Sequence, residues 1–228
     1  MIPFVMFFLM IISLTMLIIF NLNPNEVYKK IFKTSTSFLF IGTCIASAYP
    51  WQEKSEYFIL ILIALIFSML GDVFLVFHNS KDINTRNMFI LGLLSFSVAH
   101  VFYTLGFIAL VPLKVMDLII FVILLIIAII FLTKIKKFNF ENLFPFVIVY
   151  GIILSAMLTK SISIISIANS NPLGTILLIT GTVLFFISDA LLCFYLFYDD
   201  CKPYISNINL IFYYVGQGLI ALSFISGF

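Results

Sequence analysis

Two aspartates, Asp72 and Asp189, stand inside uninterrupted hydrophobic text: Gly71-Asp72-Val73-Phe74-Leu75-Val76-Phe77 and Ser188-Asp189-Ala190-Leu191-Leu192-Cys193-Phe194. The chain has ten acidic residues, and the others fall in, or at the edge of, short polar breaks. A carboxylate near the centre of a bilayer costs about 2.5–3.5 kcal/mol on insertion scales, so it marks a functional site by default. Neither run, nor the run after it, contains Lys or Arg in its interior. Two carboxylates brought together without a cation would share one proton, which makes an acid and a base in one site. One group can then protonate a substrate while the other activates water or steadies a developing cation, a division glycosidases use. Asp72 and Asp189 are therefore the candidate catalytic pair.

Other polar residues lie in stripes on the same segments. At 100° per residue, Gly92, Phe96, His100 and Tyr103 share one face. Ser68, Asp72 and Asn79 share another, as do Thr182, Asp189 and Cys193, and Tyr213, Tyr214 and Gln217 lie close together. The plain reading of such groups is interhelical hydrogen-bond glue, worth about 0.6 kcal/mol per contact. Ser68, Thr182, Cys193 and Asn79 fit it. His100, Tyr103, Tyr214, Gln217, Ser188 and Asn79 are the candidates for positioning water or substrate. The three cysteines, Cys44, Cys193 and Cys201, form no CxxC or Cys/His spacing, so no disulfide framework, metal or cofactor is expected.

The elements that hold these residues are set by composition. The 228 residues are 63% hydrophobic and 10% charged, against about 25% charged in an ordinary soluble domain. Mean hydropathy is +1.23. This predicts an all-α polytopic membrane bundle, one integral membrane domain over residues 1–228. A net charge of +2 is too small to argue for a nucleic-acid partner. A spanning helix needs about 20 mainly apolar residues. Windows at 2–20, 33–49, 57–78, 87–110, 115–133, 142–160, 173–198 and 205–226 qualify as eight transmembrane helices. The first lacks a basic leading segment and reads as a retained span rather than a signal peptide. Pro24, Pro50, Pro112, Pro172 and Pro203 mark the breaks, and Pro145 falls in a first helical turn. Tyr28, Trp51 and Tyr57 fit an interfacial aromatic belt, and Lys136 and Lys137 beside Phe138 and Phe140 a juxtamembrane anchor.

Nine of the twelve basic residues fall around the loops after spans one, three, five and seven: Lys29, Lys30, Lys33, Lys81, Arg86, Lys134, Lys136, Lys137 and Lys202. Lys54, Lys114 and Lys160 are on the other side. The expectation is a cell membrane protein of the bacterial inner-membrane type, with the nine-residue side cytoplasmic and both termini outside.

The two aspartates are 117 positions apart, and the same offset carries Leu75 onto Leu192, Phe77 onto Phe194, Val98 onto Val215 and His100 onto Gln217. Spans three–four and seven–eight thus read as a parallel tandem repeat, related by an axis along the membrane normal. That axis would set Asp72 opposite Asp189, with His100 and Gln217 flanking them.

Together, Gly71-Asp72 with Leu75, Gly92, Phe96, His100 and Tyr103, Ser188-Asp189 with Leu192, and Tyr214 with Gln217 resemble the YhhN family of eight-span membrane proteins, whose characterised members are lysoplasmalogenases. Where that family shows Lys-Pro near the start of span two, this chain has Lys33-Thr34. The resemblance implies hydrolysis of the vinyl ether bond of lysoplasmalogens to a fatty aldehyde and glycerophospho-ethanolamine or -choline. It implies a lysophospholipid substrate taken from among the membrane lipids, with Lys33 at its headgroup phosphate. The same aspartates would also serve a proton-coupled carrier, and the lack of a sizeable soluble loop would suit a non-catalytic membrane scaffold.

Overall fold

The computed structural model describes residues 1–23, 25–49, 55–78, 85–135, 137–140 and 143–228, with His78 and Thr85 described at the backbone alone. Asn79, Trp51, Lys54, Lys81, Lys136, Pro24 and Pro50 lie outside the described residues. Eight helices among the described residues are long and apolar enough to cross a membrane. They are α1 (Ile2–Leu22), α2 (Glu26–Ala48), α3 (Glu56–His78), α4 (Thr85–Leu110), α5 (Val115–Lys134), α6 (Phe144–Ser163), α7 (Pro172–Phe197) and α8 (Tyr204–Leu222).

Local chemistry starts these helices. Asn25 accepts from the Tyr28 amide to cap α2, and Asn171 accepts from the Gly174 amide to cap α7. Pro145 and Pro172 sit in first turns, where a missing N–H costs little. Most boundaries fall where hydropathy sets them. α2 starts seven residues earlier than expected, because Lys29, Lys30 and Lys33 continue its first turns instead of forming a loop. Lys snorkels, so the apolar stem can stay on the helix while the ammonium reaches the interface.

The most extensive helix pairs are α3 with α4 and α7 with α8, the two halves of the expected repeat. The 117-residue offset is visible in detail. A Cβ on Gly92 would lie 3.5 Å from the Gly71 carbonyl. At the equivalent pair, Asn209 Nδ2 donates to the Ser188 carbonyl at 2.6 Å. Gly181 and Gly216 bring α7 and α8 so close that a Cβ on either would sit 2.7–2.8 Å from the other's carbonyl oxygen. Their equivalents in α3 and α4 are Ala64 and Ala99, both fully buried. Small residues at helix crossings are how membrane bundles gain close packing.

α8 is the central helix, with 67% of its span buried, and α5 is the outlying one, with 6%. α5 packs chiefly on α6. At the end of the bundle where α5 and α7 finish, the segment after α5 is strapped beneath α7. Phe138 pairs with Tyr198 in an antiparallel bridge, and Asn139 N–H donates to the Phe197 carbonyl. Lys137, expected as a lipid anchor, pairs instead with Asp200, whose carboxylate holds the ammonium above its ordinary range. Tyr57 is no belt residue: it is buried, stacked on Phe224 and hydrogen-bonded to Ser223.

Candidate functional site

Asp72 is 2% exposed and saturated by three donors. Tyr213 OH donates to Oδ2 at 2.7 Å, and Ser37 Oγ donates to the same oxygen at 2.8 Å. Lys33 Nζ stands 3.5 Å from Oδ1. Lys33 and Ser37 share one face of α2, four residues apart. Tyr214 OH closes this cluster by donating to the Lys33 carbonyl at 3.1 Å. A cation therefore does reach one aspartate, from a helix the repeat does not include.

Asp189 has a different set. Tyr150 OH on α6 donates to Oδ2 at 2.8 Å, and His100 Nε2 on α4 lies 3.0 Å from the same oxygen. His100 Nε2 and Tyr150 OH are themselves 2.8 Å apart. Three heteroatoms thus form a closed triangle. His100 is fully buried, with Nδ1 at 3.3 Å from the Met157 sulfur. Tyr150 O–H and, in the Nε2–H tautomer, His100 both donate to Asp189 Oδ2, so the three groups form one connected hydrogen-bond cluster.

The two carboxylates share no partner, in contrast to the expected pair around one proton. The repeat supplies the reason. Phe96 and Tyr213 occupy equivalent positions at the 117-residue offset, and their rings meet edge to face at 5.8 Å. Equivalent residues in mutual contact lie at the symmetry axis. Aromatic rings fill that axis: Phe185 packs 5.4 Å from Tyr213 and 4.8 Å from His100. The aspartates flank this wall instead of meeting through it.

Space is distributed as unevenly as the partners. A cavity of about 50 Å³ lies among α3, α4, α6 and α7, lined by Leu75, Phe96, Tyr150, Asp189, Leu192 and Cys193, among others. It reaches Phe89 and Phe197, whose rings pack together near the Lys-rich end of the bundle. A crevice of about 150 Å³ lies among α5, α6 and α7 and also reaches Tyr150, Asp189 and Cys193. Asp72 lines neither. Asp189 and Tyr150 are thus the polar point where two apolar spaces converge, with His100 behind them.

The remaining candidates divide. Tyr103 donates to Gln217 Oε1, and neither meets a carboxylate; the buried Gln217 Nε2 has no partner among the described residues. Ser188 turns its hydroxyl back to the Phe185 carbonyl at 2.8 Å, which leaves it a packing role. Tyr214 belongs to the Asp72 cluster. Tyr150 and Ser37 were not among the expected site residues. Ser37 was findable, four residues beyond Lys33 on one face; Tyr150 had no such signal. Lys160 and Asp117, read as interfacial charges, form a buried ion pair at 2.8 Å that ties α6 to α5. No group of three or more His, Cys, Asp or Glu suited to a metal occurs among the described residues.

The YhhN family model matches residues 28–224. The chain belongs to the YhhN family. Comparison with curated proteins and with solved structures returns no match. Within this YhhN chain the matched span holds both carboxylate clusters, from Lys33 to Tyr214, and leaves out all of α1 and the first two residues of α2. The match thus takes in α2 to α8 and both intramembrane aspartates.

Proposed function

We propose that this YhhN protein is a lipid hydrolase that cleaves the vinyl ether bond of lysoplasmalogens, releasing a fatty aldehyde and glycerophospho-ethanolamine or -choline. The observation that carries the reading is the convergence of two apolar cavities on Asp189 and Tyr150, with His100 buried behind them against the Asp189 carboxylate. A vinyl ether needs one proton delivered to its outer alkene carbon. The electron pair of the double bond forms the new C–H bond, and the ether oxygen shares the positive charge as an oxocarbenium ion. Water then adds to the carbon beside oxygen and gives its proton to the base. The hemiacetal collapses with cleavage of the C–O bond, and the glycerol oxygen takes the last proton. The hydrogen-bonded triangle suits the first and last transfers, because a positioned acid and base of this kind supplies about 10²–10⁴ in rate.

In this reading the two carboxylates have unequal tasks. Asp189 exchanges the proton, with His100 and Tyr150 positioning it. Asp72 holds Lys33 and the Tyr213 hydroxyl, and so fixes the ring wall that backs the site. The Lys-rich end would face the cytoplasm of the cell membrane, with the lysophospholipid headgroup lying there. The Lys33 side chain is 13% exposed, so one side of its ammonium can meet a phosphate while the other stays near Asp72. Lys33→Ala is expected to raise KM several-fold more than it lowers kcat; an unchanged KM removes Lys33 from headgroup binding.

The direct test is purified protein in detergent with a 1-alkenyl lysophospholipid, read as free aldehyde. Turnover is expected without added cofactor. Absence of aldehyde, combined with proton-linked flux of a solute in sealed liposomes, would assign the aspartates to a carrier instead.

A further inference from the structure

We infer that the crevice among α5, α6 and α7 is the seat of a single hydrocarbon chain, which enters sideways from the membrane and lays its head-proximal carbons against Asp189. The inference rests on the lipid-hydrolase reading and adds where the substrate's chain lies and how it arrives. Its first support is the lining. Leu124, Ile127 and Phe131 of α5, Leu154 of α6 and Phe186 of α7 line a crevice of about 150 Å³. The lining of α5 runs from Leu124 to Leu132, about 12 Å of helix. The groove's polar point is the Asp189–Tyr150 pair, shared with the second cavity and set between Phe186 and Cys193 on α7 and between Val147 and Leu154 on α6.

The second support is Gly151, which lines the same crevice. Glycines on membrane helices usually admit a neighbouring helix. Here Gly71, Gly181, Gly216 and Gly218 do so, with a Cβ on each running into a neighbour within 3 Å. A Cβ on Gly151 would meet nothing within 4 Å. Gly151 therefore hollows the crevice wall without serving helix packing. The third support is α5 itself, which is 6% buried and packs chiefly on α6, so the crevice lies at the lipid-facing rim of the bundle. Because the surrounding medium is also hydrocarbon, a chain moving into the groove gains little from the move itself. What the groove provides is placement, which brings the reacting carbons to the acid.

Gly151→Trp fills the hollow from a position with room for it. The thermal transition should hold or rise, since Gly is a poor helix former. The probe is a 1-alkyl lysophospholipid, whose saturated ether the proposed reaction does not cleave, carrying a diazirine on the chain. Photolabelling of wild type is expected on 124–132 and 151–155, reduced at least tenfold by Gly151→Trp, with aldehyde release from a long-chain 1-alkenyl substrate falling by a similar factor. A diacyl phospholipid bearing the same diazirine should label these residues at least tenfold less. Labelling elsewhere, labelling that survives Gly151→Trp, or equal labelling by the diacyl lipid overturns the chain seat. Wild type that labels in the crevice but releases no aldehyde keeps the seat and ends the hydrolase reading. Wild type that releases aldehyde without crevice labelling does the reverse, and failure of both readouts ends both.

Discussion

Asp189→Asn is expected to lower aldehyde release by about 10²–10⁴-fold, the range that a positioned general acid supplies. The substitution keeps the shape and keeps an oxygen to accept from Tyr150 and face His100, so the folded bundle should be close to unchanged. What it removes is an oxygen that can carry and return a proton. Asp72→Asn makes the useful contrast. Its carboxylate already accepts from Tyr213 and Ser37 and faces Lys33, and it borders neither cavity at Asp189. Its loss acts through the position of Tyr213 and should cost about tenfold or less. Equal and complete loss in both variants, at wild-type thermal stability, would restore equal roles to the two aspartates.

Asp117→Ala should lower stability by about 3 kcal/mol, the lower end of the 3–5 kcal/mol found when one partner of a buried ion pair is removed. Lys160 is 2% exposed and its Nζ lies 2.8 Å from Asp117 Oδ2. Its remaining neighbours, the Pro112 carbonyl at 3.3 Å and Ser163 Oγ at 3.4 Å, are neutral and cannot replace the charge. Asp117 also accepts from the Lys114 amide at 2.9 Å, capping α5, so the variant loses a helix start as well. The pair lines a cavity of about 300 Å³, so the stranded ammonium is not sealed inside the protein, which places the cost at the lower end. For a chain of this length that is about 6–12 °C in Tm. The double variant Asp117→Leu with Lys160→Met should recover most of the loss, because it leaves no unpaired charge. A single-variant shift under 2 °C would mean that the pair is hydrated throughout.

The parts of this molecule legible in its sequence are those governed by hydropathy and by the repeat. Eight spans follow from apolar run length, and the burial of Asp72 and Asp189 from their place within the runs. The 117-residue offset foretold the α3–α4 and α7–α8 pairs. It also carried its own correction, because residues at the axis must touch their equivalents, and Phe96 and Tyr213 are large enough to fill it. Partner choice between distant helices was not legible. Nothing in the text around Tyr150 points toward α7, and Lys160 looks like any lysine closing a span. Those contacts depend on α4 and α6 lying side by side, an arrangement that loop lengths leave open. Lys33 was visible, but its meeting with Asp72 requires α2 to pack on α3.

The central claim is delivery of a proton to a vinyl carbon at the Asp189 triangle, and the mass of the aldehyde formed in D₂O tests it most directly. Wild-type protein turning over a 1-alkenyl lysophospholipid should release aldehyde with one deuterium on the carbon next to the carbonyl, more slowly than in H₂O. Aldehyde released at full rate with only hydrogen on that carbon would contradict the account.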